Sequence, residues 1–556
     1  MRLVVVGGVA GGMSAAARAR RLDESAEIIV LERGDHVSFA NCGLPYFVGG
    51  EITTESKLLV QTPASLAAQL NLDVRVRHNV TGLDAEAKTV TVEAAGETHT
   101  ISYDALVLSP GAAAARPPIP GLDSPRVRTL RTVGDAVALR DAVTAGAQRA
   151  VVLGAGFIGV EAAEAFALRG LETTLVELAP HVLPPLETEM AALAADELRR
   201  LGIDVRECVA ATEVVHGDSH DTVVLSDGTR LEADAIVLSV GVRPDTSAFE
   251  ASGVACERGA IVVDAHGRTN LPDVYAVGDA VVSVDAVTGS RRPVALAGPA
   301  NRAGRLVADT IFRPGKARPM PALLGTAVVR VGDLTVAMTG ANRASLGAAG
   351  ISYRTIHIHP NNHAGYFPGA TTIDLLVHFR ADDGLLLGAQ AVGRDGADKR
   401  IDVIATAIRG GLTVSDLMDL DLSYAPPYGS AKDPVTMAGM AGDNLLNGTL
   451  KLWYADDIDA VMADRLVLDV RSASEFRSGH VPGALQVAHT EVRDRLDEIR
   501  AAAADRPVAV MCAAGVRSYL AHRILDQEGF DSSMLSGGMR TLTATLGRRG
   551  SALLTR

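Results

Sequence analysis

The sequence predicts an α/β protein with two Rossmann-like dinucleotide-binding domains. Two stretches alternate apolar strands with Ala-rich helical segments, one opening with LVVVG at residue 3 and the other with AVVLG at residue 150. Further along, polar and apolar residues alternate in a manner typical of an α+β layer. With 556 residues the chain is too long for one hydrophobic core, so we expect about three or four domains.

Composition and charge restrict the partners and the compartment. The net charge of −13 argues against nucleic acid or a membrane surface as the main partner, because both attract clustered cations. Although 47% of the residues are hydrophobic, Gly, Pro or a charge interrupts each apolar run before the ~20 residues of a spanning helix. The initial MRLVVVGGVAGG runs into a glycine-rich loop without a cleavage region, and four scattered cysteines do not form a disulfide framework. We therefore expect a cytoplasmic protein.

The order of the segments predicts the domain boundaries. The runs ADAIVLSVGVRPD and LPDVYAVGDA follow the second strand–helix unit and return the chain to the first fold. The prolines of YAPPYGSAKDP exclude regular structure, and AGMAGDNLLNG is typical of a linker. The predicted divisions are 1–112 and 241–321 for the first dinucleotide domain, 113–240 for the second, 322–440 for an α+β dimerisation domain, 441–454 for a linker and 455–556 for a last α/β domain.

The second glycine-rich loop, GAGFIG, has the full fingerprint of a dinucleotide site. Gly154 permits a tight turn, Gly156 lets the backbone approach a pyrophosphate, and Gly159 leaves room for the helix against the strand. Glu177 ends the next strand, where a carboxylate binds ribose hydroxyls and repels a 2′-phosphate. The loop predicts that NADH is preferred over NADPH. A glycine-rich turn without a ligand is the alternative.

The first loop, GGVAGG, is a variant of the same pattern. Val9 replaces the usual middle glycine, while Gly7 and Gly12 keep the outer positions, and Glu32 ends the second strand. The distant VYAVGDA strengthens the prediction, because flavoproteins with two dinucleotide sites place an aspartate such as Asp279 beside the flavin ribityl and phosphate groups. Glu32 and Asp279 together predict FAD in the first domain.

Two of the four cysteines lie in motif-dense stretches. Cys42 lies in SFANCGLPY and Cys512 in CAAGVRS, whereas Cys208 and Cys256 have ordinary surroundings. Because a reactive cysteine acts as a thiolate, we expect a depressed pKa for Cys42 if it lies near a helix start and close to flavin. A buried structural thiol is the alternative.

Through SFANCGLPYFVGG and the two loops, residues 1 to about 440 resemble the coenzyme A disulfide reductase family. These proteins are single-cysteine flavin disulfide reductases with a glutathione-reductase-like fold. No second redox cysteine follows Cys42 at the short spacing of the dithiol members. The resemblance implies that reducing equivalents are stored between Cys42 and either coenzyme A, in a mixed disulfide, or an oxygen atom, as sulfenic acid.

The resemblance also implies roles for matching positions. Tyr366 and Tyr424 resemble tyrosines that reach the sulfur site from the opposite subunit of a homodimer and donate protons or hydrogen bonds to a leaving thiolate. Interface packing is the alternative for both. Phe157 resembles the aromatic residue that covers the flavin until nicotinamide displaces it. The other implied flavin and nucleotide contacts are Gly8, Arg33, Gly241, Gly278 and Ala297, and the implied coenzyme A contacts are Ser14, Arg18, Arg21, Ser38, Asn41, Asn301 and Lys432.

The residue types of the implied coenzyme A contacts suit that ligand. Arg18 and Arg21 are three positions apart on one face of a helix and could hold a phosphate, while Arg20 is expected to point elsewhere. A solvated basic face is the alternative. Asn301 occupies a position where some family members have His.

Residues from about 455 on resemble a rhodanese domain through LVLDVRSASEF, GHVPGALQVAH, VAVMCAAGVRSYLAHRIL and LSGGM. A strand delivers Cys512 to a short loop, and a helix begins near Arg517 and Ser518, so backbone N–H groups can converge on a thiolate or persulfide. The loop length matches rhodaneses rather than the longer cradle of phosphatases. An inactive binding module is the alternative. The expected supporting residues are Asp469, Arg471, Glu475 and His480.

Together the motifs predict an FAD- and coenzyme A-dependent NADH:persulfide or polysulfide reductase, in which Cys42 cleaves S–S bonds and Cys512 transfers sulfane sulfur. Coenzyme A disulfide reduction is the close alternative, with another sulfur compound at the same Cys42. An NADH oxidase or peroxidase would use the same cofactors but has little need for Cys512 or Lys432. A redox-sensing sulfur carrier is the alternative from a different class.

Overall fold

The computed structural model describes residues 1–555. The chain divides into two compact units, residues 1–179 with 202–325, and residues 180–201 with the chain from 326 on. Within residues 1–555, no helix is both long enough and apolar enough to cross a membrane.

The first unit contains the two predicted strand–loop–helix arrangements. Its elements up to residue 130 are β1 (Arg2–Val6), α1 (Ala10–Leu22), β2 (Glu27–Glu32), α2 (Leu44–Gly49), α3 (Pro63–Leu70), β3 (Asp73–Val76), β4 (Asn79–Asp84), β5 (Thr89–Ala94), β6 (Glu97–Ser102), β7 (Ala105–Leu108), β8 (Ala112–Ala114) and β9 (Val127–Arg128). The next elements are α4 (Val133–Thr144), β10 (Arg149–Leu153), α5 (Phe157–Leu168), β11 (Glu172–Val176), then α6 (Thr188–Arg200) of the second unit, β12 (Asp204–Arg206), β13 (Ala211–Val215), β14 (Asp221–Leu225), β15 (Arg230–Ala233), β16 (Ala235–Leu238) and β17 (Val242–Pro244). The unit ends with α7 (Ser247–Ala251), β18 (Cys256–Glu257), β19 (Ala260–Ile261), β20 (Val274–Ala276), β21 (Val282–Val284), β22 (Arg291–Pro293) and α8 (Ala297–Phe312).

Two five-stranded parallel sheets organise this unit. Their strand orders are β20-β7-β1-β2-β3 and β12-β11-β10-β16-β9. The central strands are buried along nearly their whole length, as expected for parallel sheets with helices on their faces. Because β20 pairs with β7, the chain returns to the first sheet after completing the second, as the sequence predicts.

The second unit combines a mainly antiparallel layer with a parallel one. The first layer has β23 (Ala327–Val331), β24 (Leu334–Gly340), α9 (Arg343–Ala348), β25 (Tyr353–Ile358), β26 (Ile373–Arg380), β27 (Leu386–Gly393), α10 (Ala397–Gly410) and α11 (Pro434–Leu446). The last domain has β28 (Leu452–Trp453), α12 (Ile458–Asp464), β29 (Leu466–Asp469), α13 (Ala473–Ser478), β30 (Leu485–Gln486), α14 (Leu496–Ala503), β31 (Val508–Met511), α15 (Val516–Gln527), β32 (Ser532–Leu535), α16 (Gly538–Leu546) and α17 (Arg548–Leu553). The sheet orders are β23-β24-β27-β26-β25, antiparallel, and β28-β32-β31-β29-β30, parallel.

The structure differs from the predicted linker 441–454. Helix α11 includes the first six residues of this predicted linker and ends at Leu446. It continues this far because Ala438, Gly442 and Leu445 bury one face of the helix. The parallel sheet of the last domain then begins at Leu452 rather than at residue 455. The segment between the two layers is therefore mostly regular structure.

Candidate active site

Cys42 lies in a short turn between β2 and α2 of the first unit. A 3-10 turn spans Asn41–Gly43, and residue Cys42 is exposed. Asn41 fixes this turn because its Nδ2 donates to the backbone O of Arg131 at 2.9 Å. On α2, the Tyr46 hydroxyl donates to Glu161 Oε1 at 3.1 Å. Since Glu161 belongs to α5, the segment that carries the predicted redox thiol is anchored to the helix that begins at the second glycine-rich loop.

The polypeptide raises the pKa of the Cys42 thiol above its ordinary value. The largest cause is burial, since the sulfur is partly desolvated although the residue as a whole is exposed. The Glu161 carboxylate and, less strongly, Asp279 also raise the pKa, because both repel a thiolate. In the polypeptide, burial and these two acidic side chains therefore outweigh the one cause that lowers this pKa, a backbone hydrogen bond at Cys42, and the depressed pKa expected close to flavin stays a prediction.

The first glycine-rich loop is shaped by close backbone approaches. Gly7 has φ +93°, and a Cβ there would lie 2.0 Å from the carbonyl O of Ser109. A Cβ on Gly12 would lie 1.9 Å from the carbonyl O of Gly7, so only glycine lets α1 start this close to β1. The Glu32 carboxylate accepts hydrogen bonds from the backbone N–H groups of Gly8, at 2.8 Å, and of Gly34, at 2.7 Å. These bonds hold the carboxylate at the loop, where an adenosine ribose would bind.

The other implied flavin contacts lie in the same unit. Asp279 follows Gly278, which has φ +86°, and its carboxylate is 4.0 Å from Arg131 Nη2. Burial raises the pKa of Asp279, while the charge of Arg131 opposes this shift. Ala297 is the first residue of α8, whose N-cap provides no side-chain hydrogen bond. Arg33 forms an ion pair with Asp245, so its charge is already neutralised.

The second loop meets the steric requirements of its fingerprint. Gly154 has φ +95°, and a Cβ on Gly159 would lie 1.8 Å from the carbonyl O of Gly154. A Cβ on Gly156 would meet nothing within 4 Å, which leaves space beside the start of α5 where a pyrophosphate fits. The Glu177 carboxylate accepts hydrogen bonds from the backbone N–H groups of Ala155, at 2.6 Å, and of Ala179, at 2.8 Å. Half-buried Phe157 opens α5, and Gly241 has φ +106°.

Several implied coenzyme A contacts lie on α1 and α8. Ser14 Oγ donates to Asn301 Oδ1 at 2.8 Å. Arg18 donates through Nε and Nη2 to Asp309 Oδ1, at 2.9 and 2.7 Å. Arg21 is exposed. The prediction that Arg18 and Arg21 form a pair of phosphate-binding arginines therefore has to be changed. Arg18 binds Asp309, an aspartate that the sequence analysis did not consider.

Two further predictions in this region have defined positions. Arg20 is buried and donates to the carbonyl groups of Leu70 and Asn71, at 2.9 and 2.8 Å. It therefore points away from the face of Arg18, as the sequence analysis expects. Ser38 has φ +46°, an unusual value for a residue with a side chain, and its N–H donates to the carbonyl O of Gly8 at 2.9 Å.

In the second unit the structure brings the two predicted tyrosines together. The Tyr366 and Tyr424 hydroxyls are 3.1 Å apart, and both side chains are exposed. The hydrogen bond with Tyr424 raises the pKa of Tyr366. Buried Arg400, which the sequence analysis missed, connects the two loops by donating to the carbonyl O of Asn362 and to Asp433 Oδ2, each at 2.7 Å.

This connection also positions the implied coenzyme A contact Lys432. Lys432 is exposed and directly precedes Asp433, the N-cap of α11. Asp433 accepts a hydrogen bond from the N–H of Val435 at 3.0 Å while it binds Arg400. The only sequence signal for this anchor is the Asp-Pro pair at the helix start, which is common in turns and carries no information about the distant arginine.

Cys512 lies at the end of β31 in a cradle of polar groups. Its Sγ accepts a hydrogen bond from the N–H of Gly515 at 3.2 Å and is 3.3 Å from Ser518 Oγ. Gly515 has φ +103°, which turns its N–H toward the sulfur. Arg517 donates two hydrogen bonds to the Glu475 carboxylate, at 2.8 and 2.7 Å. The guanidinium is therefore held at the start of α15, beside the cradle.

The supporting residues of this domain have structural contacts. Asp469 and Arg471 form a buried ion pair at 2.6 Å, and Arg471 also donates to the carbonyl O of Gly479 at 2.7 Å. His480 stacks on Phe476 with ring centroids 3.7 Å apart. These contacts order the loops next to β29.

A buried polar cluster connects α6 with the antiparallel layer, and the sequence analysis missed it. Arg343 Nη1 donates to Glu189 at 3.0 Å, and its backbone N–H donates to Glu187 at 2.7 Å. His357 Nε2 lies 2.7 Å from Glu189, and His378 Nε2 lies 3.1 Å from Glu187. Burial lowers the pKa of both histidines, so Arg343 is the cation that balances the two carboxylates.

The same layer holds the last domain through charged contacts. Asp374 on β26 accepts hydrogen bonds from Arg540 Nη2 at 2.6 Å and lies 2.7 Å from His359 Nδ1. His357 Nδ1 lies 2.8 Å from Ser536 Oγ. The domain that carries Cys512 is therefore docked on the antiparallel layer by specific polar contacts.

Comparisons with protein families cover nearly the whole chain. The pyridine nucleotide-disulphide oxidoreductase family matches residues 1–303, its dimerisation domain matches residues 326–434, and the rhodanese-like domain matches residues 452–545. The coenzyme A disulfide reductase of Staphylococcus haemolyticus is 35% identical over 448 residues, which are 80% of this chain and 100% of that relative.

Solved structures are also similar, two of them over nearly the full length of the chain. A reduced CoADR-RHD from Bacillus anthracis has a TM-score of 0.95 and 41% identity, covering 99% of this chain and 98% of its own. An NAD-dependent persulfide reductase from A. fulgidus has a TM-score of 0.91 and 35% identity, covering 97% of this chain and 100% of its own. A water-forming NADH oxidase from Lactobacillus brevis has a TM-score of 0.77 and 26% identity over 81% of this chain and 99% of its own. The predicted fold class, with its dimerisation and rhodanese domains, is confirmed.

Proposed function

Because the chain belongs to the pyridine nucleotide-disulphide oxidoreductase family and carries a rhodanese-like domain, we propose that it uses NADH to reduce persulfides and polysulfides, with coenzyme A persulfide as the type substrate. The predicted enzyme class, a flavin-dependent disulfide oxidoreductase, is confirmed. The observation that carries the proposal is the pairing of one exposed redox cysteine, Cys42, with a second cysteine, Cys512, whose sulfur accepts a backbone N–H at 3.2 Å.

The cofactors follow from the family and from the two loops. When bound, FAD accepts a hydride from NADH and supplies two electrons to a sulfur–sulfur bond. We assign residues 1–112 and 241–321 to FAD, with Glu32 and Asp279 as ribose and ribityl acceptors. Residues 113–240 would bind NADH, and the Glu177 carboxylate would bind its ribose hydroxyls.

The chemistry at Cys42 can be written with atoms balanced. The Cys42 thiolate attacks the outer sulfur of the persulfide, and the carrier thiol leaves, so that Cys42 itself becomes a persulfide. Two electrons and one proton then cleave this S–S bond, which releases hydrosulfide and restores the thiolate. The net reaction consumes one persulfide, one NADH and one proton, and yields the carrier thiol, hydrogen sulfide and NAD⁺.

Protonation of the leaving thiolate is assigned to the tyrosine pair. The Tyr366 and Tyr424 hydroxyls, 3.1 Å apart, can share and deliver a proton. The match to the dimerisation domain supports a homodimer. In this proposal the pair of one subunit serves Cys42 of the other, and Lys432 contributes to coenzyme A binding at the same place.

The rhodanese domain would move sulfane sulfur to or from the reductase. A persulfide on Cys512 would be stabilised by the Gly515 N–H and by the Ser518 hydroxyl. The held guanidinium of Arg517 would attract an anionic donor such as thiosulfate. We further propose a cytoplasmic location, because both thiols require a reducing compartment.

The test is anaerobic NADH oxidation with coenzyme A persulfide, with sulfide measured as the product. We expect Cys42→Ser to lose this activity and to retain bound flavin, while Cys256→Ser, a matched loss of a half-buried thiol, stays close to wild type. Full activity in Cys42→Ser would overturn the mechanism. Cys512→Ser should lose thiosulfate sulfurtransfer and keep reduction of small persulfides, and equal loss of both would show that the two sites are obligatorily coupled.

Coenzyme A disulfide reduction is the second candidate, favoured by the 35% identity to the Staphylococcus haemolyticus relative. It uses the same thiolate attack with coenzyme A as the leaving group, but Cys42 then carries a mixed disulfide with the second coenzyme A instead of a persulfide. Comparing kcat/KM for the persulfide and the disulfide under the same anaerobic conditions separates the two. A higher value for the disulfide would make persulfide reduction secondary.

A further inference from the structure

The first turn of α16 binds the loop that carries Cys512. The Met539 N–H donates to the carbonyl O of Cys512 at 2.8 Å, and the Arg540 N–H donates to the carbonyl O of Ala513 at 3.0 Å. These N–H groups are free to do so because the first four N–H groups of a helix have no partner within it. The approach is close, since a Cβ on Gly538, which has φ +66°, would lie 2.6 Å from the same carbonyl O of Cys512.

These two hydrogen bonds fix the path of the loop around the sulfur. A peptide group is planar, so holding its carbonyl O also fixes the direction of its N–H group. Two successive peptide groups are held in this way directly after β31. The loop then brings the Gly515 N–H to Cys512 Sγ at 3.2 Å. The geometry of the cradle therefore depends on where α16 begins.

Arg540 connects this turn to the antiparallel layer. While its N–H binds Ala513, its guanidinium donates to both carboxylate oxygens of Asp374 on β26, with Nη2 at 2.6 Å. Burial alone would raise the pKa of Asp374, but hydrogen bonds with His359 and Arg540 outweigh it and hold this pKa below its ordinary value. Because a two-pronged pair of an arginine and a carboxylate has a defined geometry, the position of Asp374 constrains the backbone of Arg540.

A second side chain of the same layer supports the turn. His359 Nδ1 lies 2.7 Å from Asp374 Oδ1, and its Nε2 lies 3.0 Å from both the carbonyl O of Gly537 and Thr541 Oγ1. The side chains of His359 and Asp374 are each 6% exposed. The start of α16 is thus held by two buried side chains that belong to another domain than Cys512.

We propose that Asp374 and Arg540 are positioning residues for sulfurtransfer at Cys512, so that the antiparallel layer sets the geometry of the sulfur-accepting loop. This inference rests on the proposed function, in which Cys512 accepts sulfane sulfur. Asp374 and Arg540 act through the backbone of the loop. Arg517, which would attract the donor, is held separately by Glu475 of α13, so binding of the donor does not depend on this connection.

The experiment measures one turnover of thiosulfate in the full-length protein. The Cys512 thiolate attacks the outer sulfur, the S–S bond breaks, and sulfite leaves with the bonding electrons, so released sulfite counts the persulfide formed on Cys512. Release by Cys512→Ser is subtracted as background. The dependence of the rate on thiosulfate concentration gives a maximal rate and a half-saturating concentration, which separate the transfer step from binding of the donor.

Arg540→Met and Asp374→Asn should each lower the maximal rate about tenfold, as expected when the hydrogen bonds that fix the loop are lost. The half-saturating concentration should stay within about twofold of wild type, because Arg517 keeps its partner. Arg540→Lys should recover part of the rate, since lysine retains the charge and loses the fork. Amide hydrogen exchange in residues 513–516 should become faster in Arg540→Met and Asp374→Asn.

The matched control is Tyr454→Phe, which removes another hydrogen bond between the last domain and the antiparallel layer. The Tyr454 hydroxyl donates to the carbonyl O of Thr355 at 2.9 Å, and this bond does not involve α16. Its maximal rate should remain near wild type. All rates are measured well below the thermal midpoint of each variant, so that unfolded protein does not contribute to the difference.

Three results would overturn the inference. These are an unchanged maximal rate in Arg540→Met and Asp374→Asn, an equal loss in Tyr454→Phe, and a rise of the half-saturating concentration at an unchanged maximal rate. In each case wild-type Cys512 still accepts sulfur, and the proposed function stands. Failure of the proposed function is a different result, in which the wild type releases no more sulfite than Cys512→Ser, and the inference falls with it.

Discussion

Acid should destabilise the rhodanese domain through one histidine on α15. The His522 side chain is fully buried, its Nε2 accepts a hydrogen bond from the Lys451 N–H at 3.3 Å, and its Nδ1 lies 2.7 Å from Ser532 Oγ. This arrangement requires the neutral ring with the proton on Nδ1, since a proton on Nε2 would oppose the Lys451 N–H. Burial is the main cause that lowers the pKa of His522 to about 4, with Lys451 and Arg523 also lowering it and Asp526 opposing them.

The size of the effect follows from this pKa. An unfolded histidine has a pKa of about 6.5, so below that pH the unfolded domain binds a proton that the folded domain does not bind. Stability from His522 is therefore complete above about pH 6.5 and is lost as the pH falls toward 4. Between pH 7 and pH 5 the loss is about 2 kcal/mol.

Cys512 provides a local probe for the measurement because it is 1% exposed in the folded domain. Urea series at pH 7 and pH 5 are followed by a brief alkylation pulse at fixed pH, and modified Cys512 is counted by peptide mass spectrometry. His522→Gln keeps an acceptor for Lys451 and cannot titrate, so it should lose about 2 kcal/mol less than wild type between the two pH values. His489→Gln, a half-buried histidine of the same domain, should behave as wild type. If His522→Gln shows the same pH-dependent loss as wild type, the assignment of the neutral ring is refuted.

Two further predictions concern buried charge and nucleotide choice. Arg343→Met should destabilise the second unit by at least about 3 kcal/mol, because Glu187 and Glu189 would stay buried without their cation. Arg380→Met, which breaks an exposed pair, should cost about 0.5 kcal/mol or less, and equal shifts of the two urea midpoints would contradict this reasoning. Glu177→Gln should raise the ratio of kcat/KM for NADPH to that for NADH by about tenfold, since the repulsion of a 2′-phosphate is removed, and an unchanged ratio would mean that another group selects the nucleotide.

The parts of the fold that could be predicted depend on contacts between near neighbours in sequence. Gly12 contacts the carbonyl group of Gly7, and Glu32 binds the N–H of Gly8 from the end of the adjacent strand. Such strand–loop–helix units have characteristic spacings, so the residues identify the structure directly. The Cys512 loop is predictable for the same reason, since Gly515 supplies its N–H from three positions away.

Contacts between distant residues could not be predicted in this way. Arg18 and Asp309 are 291 positions apart, and a single sequence gives no means of pairing them. The same holds for Glu187 and His378, 191 positions apart. Helix α6 is a sharper case, because its position in the sequence suggests the second dinucleotide domain, whereas it packs in the second unit.

The two cysteines differ in which groups prepare them for reaction. Cys512 is buried and its sulfur is already bonded to a backbone N–H, so the folded chain alone prepares a cradle for an anionic sulfur. Cys42 is exposed, and burial of its sulfur together with Glu161 raises the pKa of its thiol. A thiol with a raised pKa reacts slowly with oxidants, since the thiolate is the nucleophile. In the proposed mechanism, the activation of Cys42 is therefore assigned to groups of the flavin, the substrate or the partner subunit. In the same proposal, Cys512 accepts sulfane sulfur in the cradle that the folded chain itself provides.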